Sequence, residues 1–182
     1  MTLSEGPIWY GQMPTSHPMG VIRVVFSRIG MAELHTAVQP DDGFEAWAAP
    51  LAGPQSAPQA RQVNQALRQI DEYLAGKRRM FEIPIDWSVM TPFQEQVLRA
   101  TYAIPYGEVR TYGEVALAIG KPNASRAVGG ALGRNPMGIV IPCHRVVNHN
   151  RDLHGFSAPG GLDSKAWLLR LEGHTVVGQR LA

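Results

Sequence analysis

Between Thr91 and Pro136, helix starts and helix stops follow one another so closely that this part of the chain has room only for short helices. Thr91-Pro92-Phe93-Gln94 combines a hydroxyl cap, a proline at the first helical position and a glutamine at the third, and predicts a helix running to about Ala103. Ile104-Pro105-Tyr106-Gly107-Glu108-Val109-Arg110 then makes a turn and a short extended piece. Thr111-Tyr112-Gly113-Glu114 carries the capping-box pattern, and the helix it opens is stopped by Gly120. After Lys121-Pro122, Asn123 is placed to cap a further helix through about Leu132, which ends at Gly133-Arg134-Asn135-Pro136. Two short helices joined by a tight turn predict a helix-turn-helix.

The first half has a different texture. Val21–Phe26 and Met31–Val38 are strand-like and are separated by Ser27-Arg28-Ile29-Gly30, which predicts a hairpin. Residues 40–58 are rich in Pro, Gly and Ala and are expected to form a loop. Val63, Leu67, Ile70 and Leu74 fall on one face of a helix over residues 59–74. Phe81-Glu82-Ile83-Pro84-Ile85 fits an edge strand, because proline is tolerated where no ladder bond is needed. The expected fold class is therefore α+β: a small N-terminal α/β domain over residues 1–87, then a mostly helical domain over residues 88–182.

The chain contains one cysteine, Cys143, set in Ile141-Pro142-Cys143-His144-Arg145-Val146. A lone cysteine is ordinarily a small buried apolar residue. Here it follows the apolar run Met137–Ile141, short enough for a buried strand, and a proline that redirects the chain, so the thiol sits where reactive groups are usually presented. At an unperturbed pKa of about 8.5 only a few per cent of a thiol is ionised near neutrality, so a nucleophilic role needs help. His144 can take the proton and Arg145 can add a positive field.

With 182 residues, 45% of them hydrophobic, the chain can bury a sizeable core. No apolar stretch approaches a membrane span, and Met1–Pro7 lacks a basic region followed by an apolar one, so neither a membrane nor a secretory route is expected. A single thiol forms no internal disulfide and no cysteine zinc cluster, and His17 and His35 lack thiol partners, so no metal is expected and a cytoplasmic site is the simplest. Charge is uneven. Residues 1–98 hold seven Lys/Arg and ten Asp/Glu (−3), whereas residues 99–151 hold seven against two (+5). A basic segment around the cysteine suits a polyanion, although a solvated basic face is nearly as good a reading. In the second predicted helix Arg126 occupies the first turn, and Gly129-Gly130 costs helix stability, which implies close approach of another backbone, either a nucleic-acid strand or a neighbouring helix.

Residues 88–174 resemble the O(6)-alkylguanine-DNA alkyltransferase family. The resemblance is carried by Ile141-Pro142-Cys143-His144-Arg145-Val146, Ile104-Pro105-Tyr106-Gly107-Glu108-Val109 with Thr111-Tyr112-Gly113, Ser125-Arg126-Ala127-Val128-Gly129, Asn135-Pro136 and Leu168-Leu169-Arg170-Leu171-Glu172-Gly173-His174. The N-terminal part, with Pro18-Met19-Gly20 before the hairpin, resembles the family's variable, ribonuclease H-like N-terminal domain. The resemblance implies direct-reversal DNA repair by a single-turnover methylated-DNA–protein-cysteine methyltransferase. An alkyl group moves irreversibly from O(6) of a flipped guanine, or from O(4) of thymine, to Cys143 without a cofactor. The implied partner is double-stranded DNA bearing alkylated bases, bound by a monomer with room for cooperativity, and the implied place is the cytoplasm, on the nucleoid if the source is bacterial.

Roles follow from the resemblance residue by residue. Cys143 is the nucleophile, His144 the base acting through a water, and Glu172, brought back by a helix over about residues 162–171 that stops at Gly173, the acid that orients the histidine; a solvated helix-end acid is the plainer reading of Glu172. Tyr112 donates to guanine N(3), or is a buried aromatic. Arg126 replaces the extruded base, or is a phosphate contact. Ala127, Gly129 and Arg134 belong to the DNA-binding surface, and Asn135 ties the recognition helix to the active-site turn. Val146 offers a carbonyl to the guanine amino group, while Phe156 and Ser157 are the expected pocket wall and polar contact in His154–Gly161, a stretch longer than the family's usual aromatic-Ser-Gly-Gly form. Lys165 either lines the site or faces solvent. Gly138 stands where many members carry a larger residue, which would widen the pocket for bulkier alkyl groups.

Two other functions compete. A non-catalytic alkyltransferase-like protein binds the same lesions, but such proteins replace the cysteine that Cys143 retains. A cysteine hydrolase built on Cys143 and His144 would turn over, yet protease dyads usually meet from distant sequence positions.

Overall fold

The computed structural model describes residues 6–39 and 42–182 of the chain, so Met1–Glu5, Pro40 and Asp41, including the first part of the Met1–Pro7 stretch considered above, lie outside the described residues. Two compact units, Met1–Val89 and Met90–Ala182, make up the chain.

In the first unit, β1 (Trp9–Met13), β2 (Ile22–Phe26) and β3 (Met31–His35) form an antiparallel sheet in that order. All five residues of β2 are buried, as a central strand requires when both faces are covered. The Ser27–Gly30 turn closes the predicted hairpin, with the Ser27 amide donating to the Gly30 carbonyl at 2.9 Å. Between β3 and the helix that covers the sheet, a loop was expected, but α1 (Phe44–Ala48) forms there, followed by a 3-10 turn at Ala49–Leu51. Five residues cannot sustain a helix alone. The Phe44 ring supplies the missing energy, lying 4.0 Å from the Arg23 guanidinium and edge-on to Tyr10 at 5.0 Å, while Asp42 accepts from the Phe44 amide.

Helix α2 (Pro58–Leu74) packs against β1 and β2. Gly11 makes this contact possible, since a Cβ there would stand 2.7 Å from Val63 Cγ1. Phe81–Ile85 is not an edge strand. The segment makes one isolated bridge, Met31 with Ile85, because Pro84 has no amide to give and the buried Gln69 side chain takes both the Glu82 amide and its carbonyl.

The second unit opens with α3 (Pro92–Tyr102), capped by Thr91, whose hydroxyl accepts from the Gln94 amide at 3.4 Å. A two-residue strand β4 (Arg110–Thr111) leads into α4 (Tyr112–Ala118), where both halves of the Thr111/Glu114 capping box form. Helix α5 (Ser125–Leu132) follows without the expected Asn123 cap: its N-cap is Ala124, because a backbone turn from Lys121 to Ala124 closes first and leaves Asn123 exposed one residue too early. The three helices pack on one another through residues that include Val97, Leu98, Val115, Ala116, Val128, Ala131 and Leu132.

Met137–Ile141 is buried apart from the half-buried Gly138, but it is not the predicted strand. The Ile141 amide donates back to the Met137 carbonyl at 2.8 Å and Ile139 takes a left-handed φ of 73°, which curls the run into a closed turn. Asn135 holds that turn from both ends, donating to the Ile141 carbonyl at 2.9 Å and accepting from the Met137 amide at 3.1 Å. A 3-10 turn at Cys143–Arg145 then runs into β5 (Val146–Val147), which pairs in parallel with β4. Helix α6 (Gly161–Leu171) returns the chain to this turn, and the hairpin of β6 (Val176–Val177) and β7 (Arg180–Leu181) follows.

Candidate active site

Pro142 precedes the 3-10 turn, and the Cys143 amide donates to the Ile141 carbonyl at 2.8 Å, so the half-buried sulfur is held at the wall of a cavity of about 590 Å³. That volume suits a small organic ligand or a nucleobase. One wall comes from the helix pair, with Tyr112, Ser125, Arg126, Gly129, Leu132 and Gly133, and the other from the segment after β5, with Asn148, His154, Gly155, Phe156 and Ser157.

Burial pushes the Cys143 thiol pKa up, opposed by a hydrogen bond from the Asn135 side chain, by the Lys165 ammonium and by backbone amides. The resting sulfur is therefore a thiol that needs a base. His144, fully buried behind it, donates from Nε2 to Glu172 Oε1 at 3.0 Å, which leaves Nδ1 as the nitrogen to take a proton. Burial is the largest influence on His144 and lowers its pKa, Glu172 raises it, and Arg145 and Lys165 lower it further.

Glu172 caps α6 and has no exposed side-chain surface, so it is not a solvated helix-end acid. Arg145 does not lend its field to the sulfur, as the sequence suggested. Its guanidinium is spent on Glu172, with Nη2 2.7 Å from Oε1 and Nε 2.9 Å from Oε2, and on the Ile104 carbonyl, 2.6 Å from Nη1. The cation that does act on Cys143 is Lys165. It is fully buried and does not face solvent; Nζ donates to the Val146 carbonyl at 2.6 Å and the His154 carbonyl at 2.9 Å, and burial brings its pKa down to about 8.

Tyr112 lines the cavity with its hydroxyl on the His154 carbonyl at 2.7 Å. Its pKa is pushed up to about 12 by burial and by Cys143, so the phenol keeps its proton at neutral pH. Arg126 and Ala127 are exposed in the first turn of α5, and Arg134 is exposed just beyond its end, its amide donating to the Ala131 carbonyl at 3.2 Å and its carbonyl accepting from Gln94 at 2.7 Å. The α5 glycines are not demanded by helix packing: a Cβ on Gly129 would meet the Tyr112 ring at 3.7 Å, an ordinary contact, and one on Gly130 would meet only Arg134 Nη1 at 3.9 Å.

Phe156 and Ser157 are on the cavity wall, whereas Val146 is buried with its carbonyl on Lys165. Gly138 is not among the lining residues, and a Cβ there would meet nothing within 4 Å. Asn148, Ser125 and Leu132 line the cavity without having been assigned a role there: Ser125 stands in the Ser125–Gly129 motif, while Asn148 and Leu132 carry no motif signal of their own. His154 contributes its carbonyl, which no side-chain pattern reveals.

A helical unit carrying a Cys–His–Glu site, in one chain with a smaller α/β unit, is the class that known proteins share with this chain. Residues 92–174 match the family model described as 6-O-methylguanine DNA methyltransferase, DNA binding domain, and residues 20–87 match the family's ribonuclease-like domain. A methylated-DNA–protein-cysteine methyltransferase of Methanosarcina acetivorans is 50% identical over 109 residues, covering 60% of this chain and 68% of that protein. The crystal structure of Mycobacterium tuberculosis O6-methylguanine methyltransferase superposes with a TM-score of 0.73 at 33% identity, covering 91% of this chain and 92% of the other. A second structure, M. tuberculosis OGT in complex with DNA, gives 0.72 at 33% identity, covering 90% and 91%. The chain belongs to the 6-O-methylguanine DNA methyltransferase family.

Proposed function

We infer that this protein repairs DNA by direct reversal, moving an alkyl group from the O(6) of guanine to Cys143 and keeping it. The observation that carries this reading is a lone thiol at the wall of a base-sized cavity inside the DNA-binding unit, backed by a buried histidine and carboxylate. An alkylated base inside a duplex is out of reach of such a sulfur, so the nucleotide has to be flipped into the cavity. Arg126, exposed at the rim on the first turn of α5, is placed to fill the gap left in the stack, and Ala127 and Gly129 let the backbone of α5 approach the duplex.

In the transfer, the Cys143 proton passes through a bridging water to His144 as the S–C bond forms and the C–O bond breaks. The electron pair goes to the guanine, which takes up a proton on leaving. Tyr112, protonated at neutral pH, turns its hydroxyl from the His154 carbonyl to guanine N(3) and eases the developing charge. Asn135 serves by holding the Met137–Ile141 turn and by its hydrogen bond to the sulfur. Phe156 and Ser157 bound the base on the far wall. A thioether is not hydrolysed, so each molecule acts once, as a monomer on alkylated duplex DNA.

Radiolabelled O(6)-methylguanine duplex tests this. The parent protein should take up one label per chain, on Cys143, with no ester-cleaving turnover, and Cys143→Ser should take up none while still binding DNA. Multiple turnover, or label elsewhere, would sink the reading.

A further inference from the structure

A carboxylate as deeply buried as Glu172 keeps its charge only when other groups compensate it. Arg145 meets it with a two-point fork, Nη2 at 2.7 Å from Oε1 and Nε at 2.9 Å from Oε2, which is the strong form of this pairing. The Gly107 amide adds a contact to Oε2 at 3.3 Å, and the free arm of the guanidinium donates to the Ile104 carbonyl. Ile104–Gly107 thus supplies a carbonyl to the cation and an amide to the anion. Tyr106 fastens the same segment by donating to the Leu171 carbonyl at 2.7 Å, one residue before Glu172.

The arrangement bears on His144, which shares Oε1 with the arginine. An uncompensated carboxylate 3.0 Å from a buried imidazole would draw a proton onto the ring, and an imidazolium has no site left for the proton of a thiol. Among the described residues, the charged or titratable groups that act on His144 include Lys165 from α6 and Glu172 at its cap, and Arg145 from its own turn, which also holds Cys143. Helix α3, also packed on the turn, buries Val97, Leu98 and Thr101 and pairs its Glu95 with Arg99. Among these cations only Arg145 contacts the Glu172 carboxylate in a salt bridge.

We propose that Arg145 is a positioning residue for proton transfer: by compensating Glu172 it keeps His144 neutral in the resting protein, so that the ring can accept the Cys143 proton. This rests on the transfer reaction inferred above. Burial and the neighbouring cations act on His144 in the same direction, against the pull of Glu172.

Nitrogen-15 NMR of the His144 ring over about pH 5 to 8, alongside the rate of Cys143 labelling by a benzylguanine substrate, is the test. In the parent the ring is neutral at pH 7, with burial holding its midpoint below the ordinary imidazole value. In Arg145→Met its midpoint should rise by about 1–3 pH units, and the acid limb of the labelling rate should rise with it. Arg145→Lys, which restores the charge without the fork, should return the ring to neutral while labelling stays slower than in the parent. A His144 midpoint in Arg145→Met no higher than in the parent, or a parent ring already protonated at neutral pH, would overturn the proposal. Should Arg145→Met prove unfolded, the paired Arg145→Met/Glu172→Gln variant, which removes both charges together, should fold with a neutral ring; its failure to do either would equally overturn the proposal. Absence of label on parent Cys143 would instead sink the transfer reaction, and the ring titration would still judge Arg145.

Discussion

The two sides of the Cys143 sulfur are built to opposite rules. Behind it, buried His144, Arg145 and Glu172 are joined by hydrogen bonds of 2.7–3.1 Å, and buried Lys165 is held by the Val146 and His154 carbonyls. In front of it, Arg126, Ala127, Gly133, His154, Gly155 and Ser157 are exposed, and α5 presents small residues where larger ones would fit. The contrast separates two demands that one site has to meet. A proton path needs fixed distances and a dry setting, whereas a surface for duplex DNA gains from room and from side chains free to move. Fold stability should therefore depend on the rear wall, and DNA repair on both.

The largest effect should come from breaking the rear wall. Glu172→Gln leaves the buried Arg145 guanidinium without its counter-charge, and urea unfolding should show a loss of about 3–5 kcal/mol; a loss of a few tenths would mean that the network is not structural. Lys165 comes next, through pH. The folded protein sheds its proton near pH 8 while the unfolded chain holds it to about 10.5, so between these values the unfolded state binds more protons and stability gains with rising pH. Relative to Lys165→Met, the parent should gain on the order of 1–3 kcal/mol across that window; parallel curves would contradict the buried, shifted ammonium.

On the front, Arg126→Ala should leave unfolding within about 0.5 kcal/mol. Repair of duplex lesions should slow at least about tenfold, equivalent to 1.4 kcal/mol, while reaction with free benzylguanine is unchanged. Equal slowing on the free base would remove Arg126 from the duplex contact. The smallest effect sharpens the same contrast. Gly129→Ala has space for its methyl and gains helix propensity, so the protein should become more stable by about 0.5–1 kcal/mol while duplex repair falls. A destabilised variant would show that packing, not DNA, keeps this glycine.

How much of this the sequence disclosed depended on how local each cause is. Thr91, Thr111 and Glu114 announced their helices because a cap acts within one turn. Helix α1 was invisible because its support, Arg23 and Tyr10, comes from the sheet. Met137–Ile141 looked like a strand because a short apolar run reads alike in a strand and in a buried turn, and the Asn135 clamp that decides between them leaves no periodic trace. Phe81–Ile85 failed as a strand for a comparable reason, since Gln69 occupies its hydrogen-bonding groups from another element. In the site, Cys143 and His144 declared themselves by adjacency, and Glu172 was reachable only through family resemblance. Arg145 was assigned to the wrong partner and Lys165 left undecided, because sequence spacing says nothing about which buried ion a cation will find.

The intact mass of the protein, followed by peptide mapping, after incubation with an excess of O(6)-methylguanine duplex tests the central claim most directly. One added methyl group per chain, on the peptide holding Cys143, with an equal number of lesions lost, is the result expected. Lesions lost without a gain of mass, or a gain on a residue other than Cys143, would contradict the account.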